Sequence, residues 1–205
     1  MEDLSLTFGS AFWHDKLMPA IEAIKTTLDK YPKGSVALSF NGGKDCTTLL
    51  DLCELCCKED LFIVVFKEAD SFPELESFIN SRLAQTPFKV IWMEESIKSG
   101  METLVRRGLQ AVIMGQRKGD PYCPSSVCSP STAGWPEFMR INPILEWSYS
   151  DVWHFLISNK SEYCCLYDCG YTSLGPKSHT SPNPFLNGRP AWMLEKQDSE
   201  RIGRD

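Results

Sequence analysis

The chain has 205 residues, of which 42% are hydrophobic and 23% charged, with a formal net charge of −6. These values exclude bulk disorder and a collagen-like chain, and the acidic balance argues against a general nucleic-acid binder, which carries a basic footprint. A chain of this length buries a full core without metals or disulfides, and no run approaches the roughly 18 apolar residues of a membrane span.

The N-terminus, Met1-Glu2-Asp3-Leu4, is acidic and lacks the features of a secretory signal or a transit peptide, so a cytosolic chain is expected. Its nine cysteines are then expected to be reduced, an odd count being a poor fit to a closed disulfide framework. A single domain is expected over residues 1–205, with the core sheet in about 11–115 and substrate loops and a C-terminal arm in about 116–205.

Leu17, Ile21, Ile24 and Leu28 recur at helical spacing and predict an amphipathic helix over residues 11–29, closed by Pro32 and Gly34. Residues 35–40 form a short, mostly apolar run of the kind a buried parallel strand needs. Asn41-Gly42-Gly43 breaks it, and residues 44–58 read as a helix. The alternation continues with strand 61–66, helix 72–84, strand 89–93, helix 96–107 and strand 111–114. Regular alternation predicts an α/β fold, a doubly wound, mostly parallel Rossmann-like sheet with right-handed crossovers. Residues 116–140 read as one long loop, a kind of segment that is often functional. Ser148 or Ser150 caps a helix ending near Ser158, and from Tyr163 onward a loop-rich arm follows.

The sharpest motif is Ser39-Phe40-Asn41-Gly42-Gly43-Lys44-Asp45-Cys46-Thr47, at a strand-to-helix turn. Two glycines admit an anion close to the backbone, the N–H groups of a helix start converge on it, and Lys44 adds a charge. The place is right for a ligand, at the carboxyl end of a strand in a doubly wound sheet. The pattern is neither Walker A nor G-x-G-x-x-G. It resembles the S-G-G-x-D-S loop of enzymes that split ATP between its α and β phosphates, with Cys46 at the second Ser.

Further on stand Gly115-Gln116-Arg117-Lys118-Gly119-Asp120-Pro121, Arg140-Ile141-Asn142-Pro143-Ile144 leading to Asp151-Val152-Trp153, Leu166-Tyr167-Asp168-Cys169-Gly170-Tyr171-Thr172-Ser173-Leu174-Gly175, and Glu200-Arg201-Ile202-Gly203-Arg204. In this order they resemble the eukaryotic-type FAD synthases, FMN adenylyltransferases on the PAPS-reductase-like (adenine nucleotide alpha-hydrolase-like) fold. The longer animal members carry an added N-terminal domain, so the resemblance implies the stand-alone form here.

The resemblance implies ATP and FMN as substrates, FAD as product, Mg²⁺ as the metal, and FAD delivery to apoflavoproteins, with no nucleic acid or membrane partner. It assigns ATP to Ser39, Phe40, Asn41, Gly42, Gly43, Lys44, Asp45, Cys46, Thr47, Gly115 and Arg117. It assigns the flavin to Asp120, Trp135, Arg201 and Arg204, and catalysis to Asn41, Asp45, Asp120, Arg201 and Arg204. Asp45 either organises the loop or holds Mg²⁺; Asp120 either faces the flavin or assists the metal. Cys53-x-x-Cys56 reads as buried helical thiols, and Cys123, Cys128, Cys164, Cys165 and Cys169 as scattered reduced thiols. His14, His154 and His179 are isolated. Trp92, Trp147 and Trp153 are expected in the core, and Trp135 over a flat ring of the ligand.

Three rivals share parts of this pattern. A PAPS reductase needs a nucleophilic C-terminal Cys, and the tail has none. A tRNA-thiolating pyrophosphatase needs catalytic cysteines and a basic face. A flavin-binding module would bind FMN without turnover.

Overall fold

The computed structural model describes residues 7–57 and 60–204. The first helical segment runs through Ser10–Phe12, a π-helical stretch Trp13–Leu17, and α1 (Met18–Lys30). The wide turn precedes Pro19, whose missing N–H and bulky ring disfavour a regular α-turn at that point. Trp13, Leu17, Ala20 and Ile24 are buried. Tyr31 then leaves the helix in an extended conformation, as a residue before proline must.

β1 (Val36–Ser39), α2 (Lys44–Cys56), β2 (Phe62–Phe66), α3 (Pro73–Gln85), β3 (Lys89–Met93), α4 (Ile97–Arg106) and β4 (Ala111–Ile113) follow in alternation. The strand order is β3-β2-β1-β4-β6-β5, with β5 as Cys128–Pro130 and β6 as Met139–Ile141. β1 pairs in parallel with both β2 and β4, β6 joins β4 in parallel, and only β5 runs antiparallel. The sheet therefore extends past residue 115, and the segment expected to be one long loop carries two of its strands. α5 (Tyr149–Ser158) starts on a capping box in which Ser148 Oγ accepts the Asp151 N–H at 3.1 Å and Asp151 accepts the Ser148 N–H at 2.7 Å.

Alternate strand residues feed two cores. Val36, Leu38, Ile63, Val65, Ala111 and Ile113 pack with residues of α1, α2, α3 and α5. Ala37, Val64 and Val112 pack with Met93 and with Met101 and Leu104 of α4 on the opposite face. Trp147 and Trp153 are in the core as expected, whereas Trp92 is 41% exposed, because β3 is an edge strand. All nine cysteines are free thiols. Among the described residues no helix is long and apolar enough to cross a membrane.

Candidate active site

The sheet places the ends of β1 and β4 side by side, and the loop from Ser39 to Lys44 turns there into α2. Phe40 keeps the strand pairing, its N–H donating to the Val64 carbonyl at 3.0 Å, and its ring is buried. Gly42 sits at φ 74°, and a Cβ on it would strike Leu75 and Ile79 of α3, so both conformation and space demand glycine. Asn41 ties the turn together. Its Oδ1 accepts from the Gly43 N–H at 3.0 Å and from the Cys46 thiol at 2.8 Å. Burial pushes the Cys46 thiol up to about 12, so it stays protonated near neutral pH. The Lys44 N–H donates to the Tyr167 hydroxyl at 2.9 Å, which docks the C-terminal half on the loop.

Four charges close together beside this loop. Lys44 Nζ pairs with Asp45 at 3.0 Å and with Glu200. Arg117 Nε meets the other Asp45 oxygen at 2.6 Å, while its Nη2 reaches the two Glu200 oxygens at 2.7 and 2.6 Å. The cations lie behind the carboxylates: side-chain exposure is 2% for Lys44 and 6% for Arg117, against 14% for Glu200 and 22% for Asp45. Burial opposes the charge on Lys44, but Asp45 and Glu200 more than offset it and hold its pKa above the ordinary lysine value. Burial likewise opposes the Asp45 carboxylate, and Lys44 and Arg117 hold its pKa below the ordinary range.

Asp120 Oδ2 caps the Arg117 backbone N–H at 2.8 Å, and Oδ1 lies 3.7 Å from Arg201. Arg204 donates to Ser173 Oγ at 3.3 Å. These groups surround a cleft of about 340 Å³, into which Ser39, Asn41, Gly43, Lys44, Asp45, Cys46, Gly115, Asp120, Arg201 and Arg204 all reach. A second cleft of about 780 Å³ opens beyond β1, β2 and β3, walled by Val65, Phe66, Leu75, Ile79 and Trp92. Asn41 lines both.

Several expected site residues stand elsewhere. Phe40 and Thr47 are fully buried and belong to the packing behind the loop. Gly42 faces α3, and Arg117 backs the cleft through its carboxylate partners without lining it. Trp135, 40% exposed, lines neither cleft. Both Asp45 oxygens are already paired with cations, which disfavours Asp45 as a dedicated metal ligand. Among the described residues no group of three or more His, Cys, Asp or Glu is placed to hold a metal. The oxygen donors fit an ion that arrives on a polyphosphate, as Mg²⁺ commonly does. The sequence did not single out Tyr167, Gln116, Ser173 or the role of Glu200, all of which line the smaller cleft, although all four lie in the motif runs noted above.

The phosphoadenosine phosphosulfate reductase domain family matches residues 94–182. A Schizosaccharomyces pombe protein named "Probable FAD synthase" is 35% identical over 210 residues, covering 93% of this chain and 79% of that protein. A Caenorhabditis elegans "Probable FAD synthase" is 36% identical, covering 92% of this chain and 40% of that longer protein. The crystal structure of Candida glabrata FMN adenylyltransferase in complex with FMN and the ATP analogue AMPCPP superposes with a TM-score of 0.80 at 25% identity, covering 92% of this chain and 90% of that one. A Candida auris PAPS reductase shares the fold, at TM-score 0.62 and 18% identity over 79% of this chain and 90% of that one. With such identity across most of both the S. pombe protein and this chain, the chain belongs to the FAD synthase family.

Proposed function

We infer that this chain is an FMN adenylyltransferase: FMN + ATP → FAD + pyrophosphate. One observation carries the reading. Two arginines from the distant C-terminus, Arg201 and Arg204, share a cleft with the glycine turn and helix start that suit a nucleotide phosphate. ATP lies along the loop, its adenosine in the larger cleft that Phe66 and Trp92 help to wall, and its triphosphate across Asn41 into the smaller one. FMN enters from the side of Asp120, Arg201 and Arg204.

An FMN phosphate oxygen attacks the α-phosphorus in line. A P–O bond forms, the α–β bridge breaks, and the electron pair leaves on pyrophosphate. A phosphate anion is a competent nucleophile at neutral pH, so positioning and charge neutralisation do most of the work. A Mg²⁺ ion held by the triphosphate, and not by a dedicated carboxylate set, would supply charge neutralisation for the leaving group. Arg201 and Arg204 hold the FMN phosphate, which carries close to two negative charges, and lower its repulsion from ATP. Asp120 faces Arg201 and fixes the Arg117 backbone. Residues 1–205 act as one catalytic unit in the cytosol, and its FAD passes to apoflavoproteins.

No thiol serves as nucleophile in this scheme, which separates it from sulfonucleotide reduction: Cys46 is buried and protonated, and residues 170–205 contain no cysteine. The test is incubation of the purified chain with FMN, ATP and Mg²⁺, followed by chromatography of the flavins. FAD is expected, and none when riboflavin replaces FMN. Reduction of a sulfonucleotide without FAD formation overturns the reading, and FMN binding without turnover leaves a flavin-binding module.

A further inference from the structure

Glu200, directly before Arg201, reaches the start of α2 with its side chain. Its carboxylate accepts two hydrogen bonds from Arg117 and pairs with Lys44. Its backbone carbonyl accepts from Thr172 Oγ1 at 2.6 Å. The preceding carbonyl, of Ser199, accepts from Asn183 Nδ2 at 2.8 Å, and that amide also reaches Thr172 at 3.1 Å. One residue thus joins the start of α2, the segment after β4 and the C-terminal arm, and Arg201 follows it directly.

We propose that Glu200 is a positioning residue for the flavin side of the reaction: by tying the tail to Lys44 and Arg117 it fixes Arg201 and Arg204 in the cleft. This rests on the adenylyltransferase reading. The charge balance supports it. Lys44 and Arg117 are buried cations that need two carboxylates, and Asp45 supplies one. A second carboxylate from the loop would complete the cluster equally well. Drawn from the tail, it makes formation of the cluster and placement of the arginines one event. Among the described residues the side chain of Arg201, 43% exposed, has a single ion pair, the 3.7 Å contact to Asp120, which is too long and too exposed to fix it. Glu200, at 14% exposure and with three cation contacts, is the anchor.

The experiment is a mutant cycle with three readouts: steady-state kinetics with each substrate varied, FMN affinity by quenching of flavin fluorescence without ATP, and a melting curve. Glu200→Gln keeps the shape and removes the charge. The expected result is a fall of about 10²-fold in kcat/KM for FMN, the loss typical of misplaced catalytic groups, with KM for ATP changed less than about threefold. In a chain already carrying Arg201→Ala and Arg204→Ala, Glu200→Gln is expected to cost little more, because the residues it positions are gone. If Glu200→Gln does not fold, Glu200→Asp retains the charge on a shorter stem and is expected to show the same selective loss for FMN in smaller degree. Additive losses overturn the proposal, as do wild-type FMN kinetics in a folded variant. A lowered KM for ATP overturns it too, showing that Glu200 instead occupies the place of a nucleotide phosphate. A wild-type chain that binds FMN but makes no FAD defeats the adenylyltransferase reading, while the same cycle in FMN affinity still decides the role of Glu200.

Discussion

At Cys46 the loop carries a thiol that donates to Asn41 Oδ1 and accepts from the Asn41 N–H, so it serves as a small hydrogen-bonding spacer. A serine hydroxyl can make both bonds. Cys46→Ser is therefore expected to keep most turnover and to leave the pH profile unchanged between pH 7 and 9 in steady-state assays; complete loss in a folded protein would restore a thiol mechanism. Lys44 behaves differently. It is buried, and Lys44→Ala strands Asp45 and Glu200 with Arg117 alone. Breaking a buried ion pair costs about 3–5 kcal/mol, so a lowered melting temperature is expected together with lost ATP turnover. Asp45, at 22% side-chain exposure against 2% for Lys44, is the member of the pair whose removal should harm the fold less. The cluster also sets a pH window. Asp45 titrates below the ordinary Asp value of about 3.9, so its contribution is present above that pH and lost as pH falls through the lower folded value. Lys44 titrates above the ordinary Lys value of about 10.4, so its contribution is present below that pH and lost as pH rises through the higher folded value. Between these limits Lys44 and Asp45 add no pH dependence to stability, which thermal melts across buffers will check.

At the scale of elements, what was legible followed the strength of local pattern. β1, β2 and β4 are apolar runs bounded by turn residues, and α2 begins where Gly42 and Gly43 end the strand. β5 and β6 escaped because their sequences, Cys128-Ser129-Pro130 and Met139-Arg140-Ile141, are three residues long, too short for an alternation or an apolar run to stand out. Their pairing comes from the sheet itself: β4 leaves an edge that β6 fills in parallel register, Ile113 beside Ile141, and β5 then covers the new edge. The larger cleft was illegible for a related reason. Its walls come from β2, β3 and α3, and Trp92 reads as core until β3 is known to be an edge. The tail was legible as a motif but not as a structure. Gly203 shows why it must be glycine: a Cβ there would run into the Ser181 carbonyl oxygen, and the Ser181 N–H donates to the Gly203 carbonyl at 2.8 Å. Gly203→Ala is expected to displace Arg204 and raise KM for FMN several-fold or more, with a small change in melting temperature. Unaltered FMN kinetics would show that Arg204 does not depend on this contact.

Across the whole molecule the C-terminal arm acts as a strap over the carboxyl edge of the sheet. Tyr167 holds the start of α2 through the Lys44 N–H, and Glu200 holds Lys44 and Arg117. Farther along the edge, Asp70, in the loop after β2, accepts from the Ser178 N–H at 2.9 Å and the Lys177 N–H at 2.8 Å, and Phe72 meets Tyr171 edge to face at 5.4 Å between centroids. The two clefts meet at Asn41, which lines both. The strap has its own buried anchors, Leu186, Ala191 and Leu194, all well before residue 200. Deleting the residues after Glu200 therefore removes Arg201 and Arg204 while leaving those anchors and the four-charge cluster in place. Ile202, the only large apolar residue lost, is 53% exposed, and a terminus of this kind contributes little core. The truncated chain is expected to melt close to the full chain and to bind ATP with similar affinity. Its kcat/KM for FMN is expected to fall by about 10²-fold or more, since both cations for the attacking phosphate are gone. Kinetics with FMN varied, beside melting curves and ATP titration, separate the outcomes. Wild-type FMN kinetics in the truncated chain would remove both arginines from the site, whereas a collapse in melting temperature would make the tail a structural closure of the sheet edge.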